Sequence, residues 1–169
     1  MTNTTNTHIP TIVYVEDNGG DALLFEEALR ESCLAVQLQV IEDGDKALRY
    51  FQVKASARDL PPPHCILLDN YLPKVSGEQL LRFIRGTAVY KDTPVYIFST
   101  PKDYQDLVDA GIVSPESFLT KPTSWDEFLA LSHLLMKSAE AKQDNVPASP
   151  TDDRPEAHAK GSLRRQDVP

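Results

Sequence analysis

Apolar and polar positions along this chain fall into two alternating kinds of pattern. Residues 11–15 (TIVYV) and 95–99 (VYIFS) are short runs rich in β-branched and aromatic residues, and residues 64–69 (HCILLD) hold an unbroken apolar run. Runs of this kind predict strands buried on both faces. Residues 36–43 (VQLQVIED) alternate and then meet the turn signal Asp43-Gly44, and residues 117–120 (SFLT) make a short fifth strand. Between them the spacing is helical. Residues 21–33 place Leu23, Leu24, Ala28 and Leu29 on one face, with Asp21 as the expected N-cap. Residues 45–53 follow the same period, and 77–90 carry Leu80, Leu81, Phe83 and Ile84. A fourth helix is opened by Pro101 and closed by Gly111, and a fifth spans 123–140, capped by Thr123 or Ser124. A β-α unit repeated five times predicts an α/β fold whose parallel sheet is covered by helices on both faces.

The edges of the pattern set the expected domain. Residues 1–8 are a polar, flexible N-terminus, and residues 9–140 form the domain. Residues 141–169 hold four prolines, no aromatic residue and few large apolar groups, and are expected to form a disordered polar tail. The 169 residues carry a net charge of −8, which argues against a nucleic-acid-binding module. The two cysteines, Cys33 and Cys65, lack metal or disulfide spacing and are expected to be reduced and buried. No signal peptide and no apolar run near 18 residues is present, so the reading is a cytoplasmic protein with no membrane partner.

The chemistry gathers where the strands end. Strand 1 runs into Glu16-Asp17, strand 3 into Asp69, strand 4 into Ser99-Thr100 and strand 5 into Thr120-Lys121. An open parallel sheet binds ligands at the carboxyl ends of its strands, so these distant positions converge. Three clustered carboxylates need a cation, and a hard divalent ion takes carboxylate, carbonyl and water oxygens. Asp17 and Asp69 suit direct ligation, with Glu16 acting through water. Such an ion together with Lys121 would neutralise a phosphoryl group, and an aspartate can be the nucleophile that accepts one. Asp69, at the end of the central strand, is the candidate.

The motifs YVEDN with Asp21 behind it, ILLDNYLPKVSG, VYIFST and SFLTKP, in this order, resemble the receiver domain of two-component response regulators across residues 9–140. The resemblance implies a flavodoxin-like (β/α)5 fold with strand order 2-1-3-4-5. It implies that Asp69 accepts phosphate from a sensor histidine kinase with Mg²⁺ or Mn²⁺ as cofactor. Asp17, Asp69 and the backbone carbonyl of Tyr71 would be metal ligands, with Glu16 joining through water. Lys121 would contact the phosphoryl group, with a cis Lys121–Pro122 bond. Ser99 would be the switch hydroxyl and Phe118 the switch aromatic. Tyr71 and Pro101 depart from the family pattern at two positions that flank the route of the hydrolytic water.

With no output domain in view, the expected function is a stand-alone response regulator that switches protein–protein interactions. A weaker likeness points to regulators of phytochrome-type kinases. A histidine phosphotransfer protein is a further candidate partner. A homodimer through helix 4, strand 5 and helix 5 would use Tyr104, Leu107, Val108 and Phe118. Two alternatives stand beside this reading. A pseudo-receiver scaffold would not need the full set Glu16, Asp17, Asp69, Ser99 and Lys121. A Mg²⁺-dependent aspartyl-phosphate phosphatase typically needs a second acid two residues after the nucleophile, where this chain has Tyr71. Each residue also has a plainer reading: Glu16-Asp17 as helix N-terminal acids, Asp69 as a turn residue, Phe118 as core. The four histidines read as surface or packing residues, and Trp125 as a packing or interface residue.

Overall fold

The computed structural model describes residues 9–57 and 60–143, with side chains described as far as Lys137. Five strands form one parallel sheet in the order β2-β1-β3-β4-β5. They are β1 (Thr11–Val15), β2 (Gln37–Ile41), β3 (Cys65–Asp69), β4 (Val95–Ser99) and β5 (Phe118–Thr120). The helices between them are α1 (Gly19–Glu31), α2 (Gly44–Ser56), α3 (Gly77–Arg85), α4 (Pro101–Asp109) and α5 (Trp125–Gln143). The expected N-terminal segment 1–8 and all but the first residues of the expected tail lie outside the described residues.

Side-chain parity divides the core into two layers. Ile12, Tyr14, Cys65, Leu67 and Phe98 pack with Phe25 and Ala28 of α1 and Phe128 and Leu135 of α5. Val13, Val15, Ile66, Leu68, Val95 and Ile97 pack with Phe51 of α2, Leu80 and Ile84 of α3 and Leu107 of α4. The central strand β3 is buried along its whole length, as its unbroken apolar run requires.

Several sequence expectations shift. Asn18, not Asp21, caps α1, its side chain accepting from the backbone N–H of Gly20 and Asp21. The helix buries Ala22, Phe25, Ala28 and Leu29, and leaves Leu23 and Leu24 exposed. Residues 22–25 are all apolar, so their pattern alone does not fix the helix phase; the sheet does. Cys33 is exposed, in a left-handed backbone conformation (φ 53°) just past α1, while Cys65 is buried. Gly86 is the C-cap of α3, so Ala88–Tyr90 form a separate 3₁₀ turn rather than continuing that helix. Gly111, at φ 66°, ends the turn after α4 as expected. Ser124 and Glu127 cap the start of α5 reciprocally. Leu107 and Phe118 belong to the core and not to an outer face of α4 and β5. The Lys121–Pro122 bond is trans, the intrinsically favoured isomer, and Lys121 reaches its partners from that geometry. No described helix is long and apolar enough to cross a membrane.

Candidate functional site

The site forms where β1, β3, β4 and β5 end. Glu16 is two residues beyond Tyr14, so in extended chain both point to the same side, and the Tyr14 hydroxyl donates to Glu16 Oε2 at 2.8 Å. The Asn18 N–H donates to Glu16 Oε1 at 3.1 Å. Lys121, just past β5, is fixed by its backbone N–H donating to the Ser99 carbonyl at 2.8 Å. Its Nζ donates to Glu16 Oε2 at 2.7 Å, Asp69 Oδ2 at 3.1 Å and Asp21 Oδ2 at 3.3 Å. Residues more than a hundred positions apart thus share one ammonium, as the strand-end argument anticipates.

Burial dominates the electrostatics. It pushes the Glu16 carboxyl above its ordinary range, against the downward pull of hydrogen bonds from Lys121 and Tyr14. Burial also works against the charge on Lys121, but Glu16 and Asp69 outweigh it and hold its pKa above the usual lysine value. The Tyr14 phenol is pushed up by burial and by the neighbouring Glu16 charge, so it stays a donor.

One lysine facing Glu16, Asp21 and Asp69 leaves a surplus of negative charge. Carboxylate oxygens of Glu16, Asp17 and Asp69 lie within 4.8 Å of one another. This all-oxygen set fits a hard divalent cation such as Mg²⁺ or Mn²⁺. Glu16 has both oxygens engaged by protein donors, which suits contact through water, whereas Asp17 is exposed at the rim. A shallow cavity of about 440 Å³ beside Thr11 and residues 61–63 lies at the other end of the sheet and holds none of these groups.

A residue not anticipated from the sequence sits on the β4 side. Ser99 shares its parity with Val95 and Ile97, so its hydroxyl faces the α4 layer. There it donates to Asp103 Oδ2 at 2.8 Å. Thr100 donates to the same oxygen at 2.6 Å, and the Tyr71 hydroxyl donates to Asp103 Oδ1 at 2.6 Å. Hydrogen bonds from Thr100 and Tyr71, then Ser99, hold the Asp103 carboxyl down at about 2 despite its burial. The signal was present: Thr100-x-x-Asp103 has capping-box spacing. Here the threonine hydroxyl donates to the acid instead of accepting from the backbone. Pro101 opens α4 and contributes no polar group. Phe118 is buried, with its ring edge-on to Tyr104 at 5.2 Å between centroids.

The loop after β3 is pinned from below. The Tyr71 N–H donates to Asp69 Oδ1 at 3.2 Å. A Cβ on Gly77 would lie 2.1 Å from the Asp69 carbonyl oxygen, and one on Gly44 would lie 1.9 Å from the Val75 carbonyl oxygen. Both helices therefore start with a glycine because their backbones press on that loop. Gly77→Ala is expected to destabilise the fold by about 2–3 kcal/mol through overpacking. Urea unfolding measures the effect, and an unchanged midpoint would contradict the contact.

Clustered acids, a lysine and a hydroxyl thus gather at the carboxyl edge of an open parallel sheet, the edge where such sheets bind ligands. The profile of the response regulator receiver domain matches residues 12–132, and the chain belongs to that family. It is 31% identical over 110 residues to response regulator Rcp1 of Synechocystis sp., covering 65% of this chain and 75% of Rcp1. Among solved structures, the bacteriophytochrome response regulator AtBRR superposes with TM-score 0.61 at 30% identity, covering 79% of this chain and 94% of AtBRR. The phosphorylated cyanobacterial phytochrome response regulator RcpA gives TM-score 0.66 at 25% identity, over 80% and 96% of the two chains. The Mn²⁺-bound form of Rcp1 gives 0.62 at 26% identity, over 76% and 92%.

Proposed function

We propose that this receiver accepts a phosphoryl group on Asp69 from a sensor histidine kinase and uses it to change its protein partners. The observation that carries this reading is Lys121 Nζ bridging Glu16 and Asp69 across the strand ends. An Asp69 oxygen attacks phosphorus, a new O–P bond forms, and the P–N bond to the donor's phosphohistidine breaks, leaving the electron pair on the imidazole. Lys121 then lies against the phosphoryl oxygens and offsets their charge. Asp17, Asp69 and the Tyr71 carbonyl would hold Mg²⁺ or Mn²⁺, with Glu16 acting through water. When bound, the ion supplies the charge neutralisation that one lysine among several acids lacks.

Ser99 is the hydroxyl assigned to the new phosphoryl oxygens, and Phe118 the aromatic group that follows it. The likeness to phytochrome response regulators supports a phytochrome-type kinase as donor, and a histidine phosphotransfer protein could serve the same histidine chemistry. The outer surface of α4, β5 and α5, with half-buried Tyr104 and Val108, is the face assigned to a homodimer. Incubation with a small phosphodonor and Mg²⁺ tests the central step. Phosphorylation at Asp69, seen by mass spectrometry, is the expected result; an unmodified protein would favour the scaffold reading.

Tyr71 is 65% exposed, and its ring spans from the loop after Asp69 to the first turn of α4. That bridge limits water's approach to the phosphoryl group. Tyr71→Ala is expected to shorten the lifetime of phosphorylated Asp69 at least about threefold. The measurement is phosphate loss over time after removal of the donor, and an unchanged lifetime would sink the idea.

A further inference from the structure

We propose that Asp103 is the positioning residue of the switch: in the unphosphorylated protein it holds the Ser99 hydroxyl, and a phosphoryl group gains that hydroxyl only by taking it from Asp103. This rests on the receiver reading above and deepens it. A serine hydroxyl has one proton to donate. In this structure that proton goes to Asp103 Oδ2, so the same proton cannot also reach an oxyanion on Asp69.

Asp103 is well fixed in this role. It is buried, with 8% of its surface exposed, in the first turn of α4. Its backbone N–H donates to the Thr100 carbonyl at 3.1 Å, Thr100 Oγ1 occupies the same carboxylate oxygen as Ser99, and Tyr71 holds the other. Among the described residues three hydroxyls and no lysine or arginine meet its charge. Hydrogen bonds to an ionised acceptor are the strong ones, so losing Ser99 leaves a buried carboxylate short of a donor. The resting arrangement is therefore favoured until a stronger anion competes for the same proton.

Asp103 also joins the site to the outer face. The next residue, Tyr104, packs edge-on against Phe118, so any shift of the first turn of α4 is felt by that ring. On the other side, Tyr71 ties the loop after Asp69 to the same turn. One carboxylate thus links the hydroxyl that moves, the ring that follows it and the side chain that bridges the site.

The test uses beryllofluoride, a phosphoryl mimic, with Mg²⁺ on the full chain. Asp103→Asn is expected to tighten beryllofluoride binding roughly tenfold, because a neutral amide competes for the Ser99 proton more weakly than a carboxylate does. In the Ser99→Ala background the same substitution is expected to give less than about a twofold gain. An equal gain with and without the Ser99 hydroxyl would mean that only negative charge had been removed, and would overturn the proposal. No gain, or weaker binding, would overturn it too. Tyr71→Phe, at an exposed ring, serves as a second variant should Asp103→Asn fail to fold: removing one hydroxyl from Asp103 is expected to alter binding only when Ser99 is present, and an equal change without Ser99 counts against the proposal. A metal-free readout is independent of loading. In EDTA, Asp103→Asn is expected to speed amide exchange at Tyr71 and in the first turn of α4, and unchanged exchange there would overturn the resting arrangement. A wild-type protein that binds no beryllofluoride at all would remove the phosphoacceptor reading and this proposal together, whereas normal wild-type binding with an unresponsive Asp103→Asn removes this proposal alone.

Discussion

Lys121→Met is expected to cost about 3 kcal/mol of stability in metal-free protein, because it leaves buried acids without their cation. The Glu16 side chain has none of its surface exposed and that of Asp69 only 7%, while Lys121 is itself 20% exposed. Methionine keeps the length and packing of the lysine stem but offers no donor. The loss has a definite pH dependence. Glu16 already has a raised pKa in the folded protein, and removing the ammonium raises it further. A group whose folded pKa lies above its unfolded value favours the fold below the unfolded pKa, and that contribution is lost as pH rises through the folded pKa. The deficit of Lys121→Met is therefore small below about pH 4, where Glu16 is protonated in both states, and grows as pH rises. Mg²⁺ should restore part of it by supplying positive charge to the same oxygens. Urea unfolding in EDTA and in Mg²⁺, at acid and neutral pH, reads both effects. A pH-independent loss would contradict the pairing.

Asp69→Asn should separate stability from function in the opposite direction. The amide cannot act as a nucleophile, so no phosphoryl group is expected on the protein after exposure to a phosphodonor. The fold should be as stable as wild type in EDTA, or more stable by up to about 1 kcal/mol, because functional sites hold like charges together at the expense of stability. The asparagine carbonyl can still accept from the Tyr71 N–H, and Lys121 keeps Glu16 and Asp21. Much of the stabilisation that Mg²⁺ gives the wild type should vanish with the ligand. Intact-protein mass spectrometry reads the first outcome, and thermal unfolding with and without Mg²⁺ the other two. Residual phosphorylation of the variant would move the acceptor to another residue.

The expectations that held are those fixed by strand parity and strand ends. An apolar run closing on an acid buries its body and leaves its last carboxylate at the strand end, so the place of Asp69 at the carboxyl edge was readable from residues 64–69, although its own side chain is almost wholly buried. Glu16 and Lys121 were legible for the same reason, and the sheet brings them together. What escaped depends on side-chain reach across elements. Asp21 was read as a helix cap, yet its carboxylate turns to Lys121, a hundred residues away. Tyr14 looked like one more apolar strand residue, and only the fold shows its hydroxyl on Glu16. Asp103 shares the buried face of α4 with Leu107, four residues on, but a carboxylate gives no apolar signal there, and only the fold shows the three hydroxyls that meet it. The inside face of α1 was misjudged because Leu23 and Leu24 are as apolar as the neighbours that are buried.

The two glycine contacts beneath the loop after β3 bear on where motion can occur. Backbone pressed on backbone has no side chain to rotate out of the way, so the loop between Asp69 and Gly77 behaves as a fixed jaw. The opposite side of the site, from Ser99 through the first turn of α4, is held by hydroxyl hydrogen bonds that can exchange partners without breaking the chain's packing. It is the side expected to move. A signal written at Asp69 should therefore leave the protein by one exit, along α4 toward β5, and substitutions that loosen the fixed jaw should blur the signal without redirecting it.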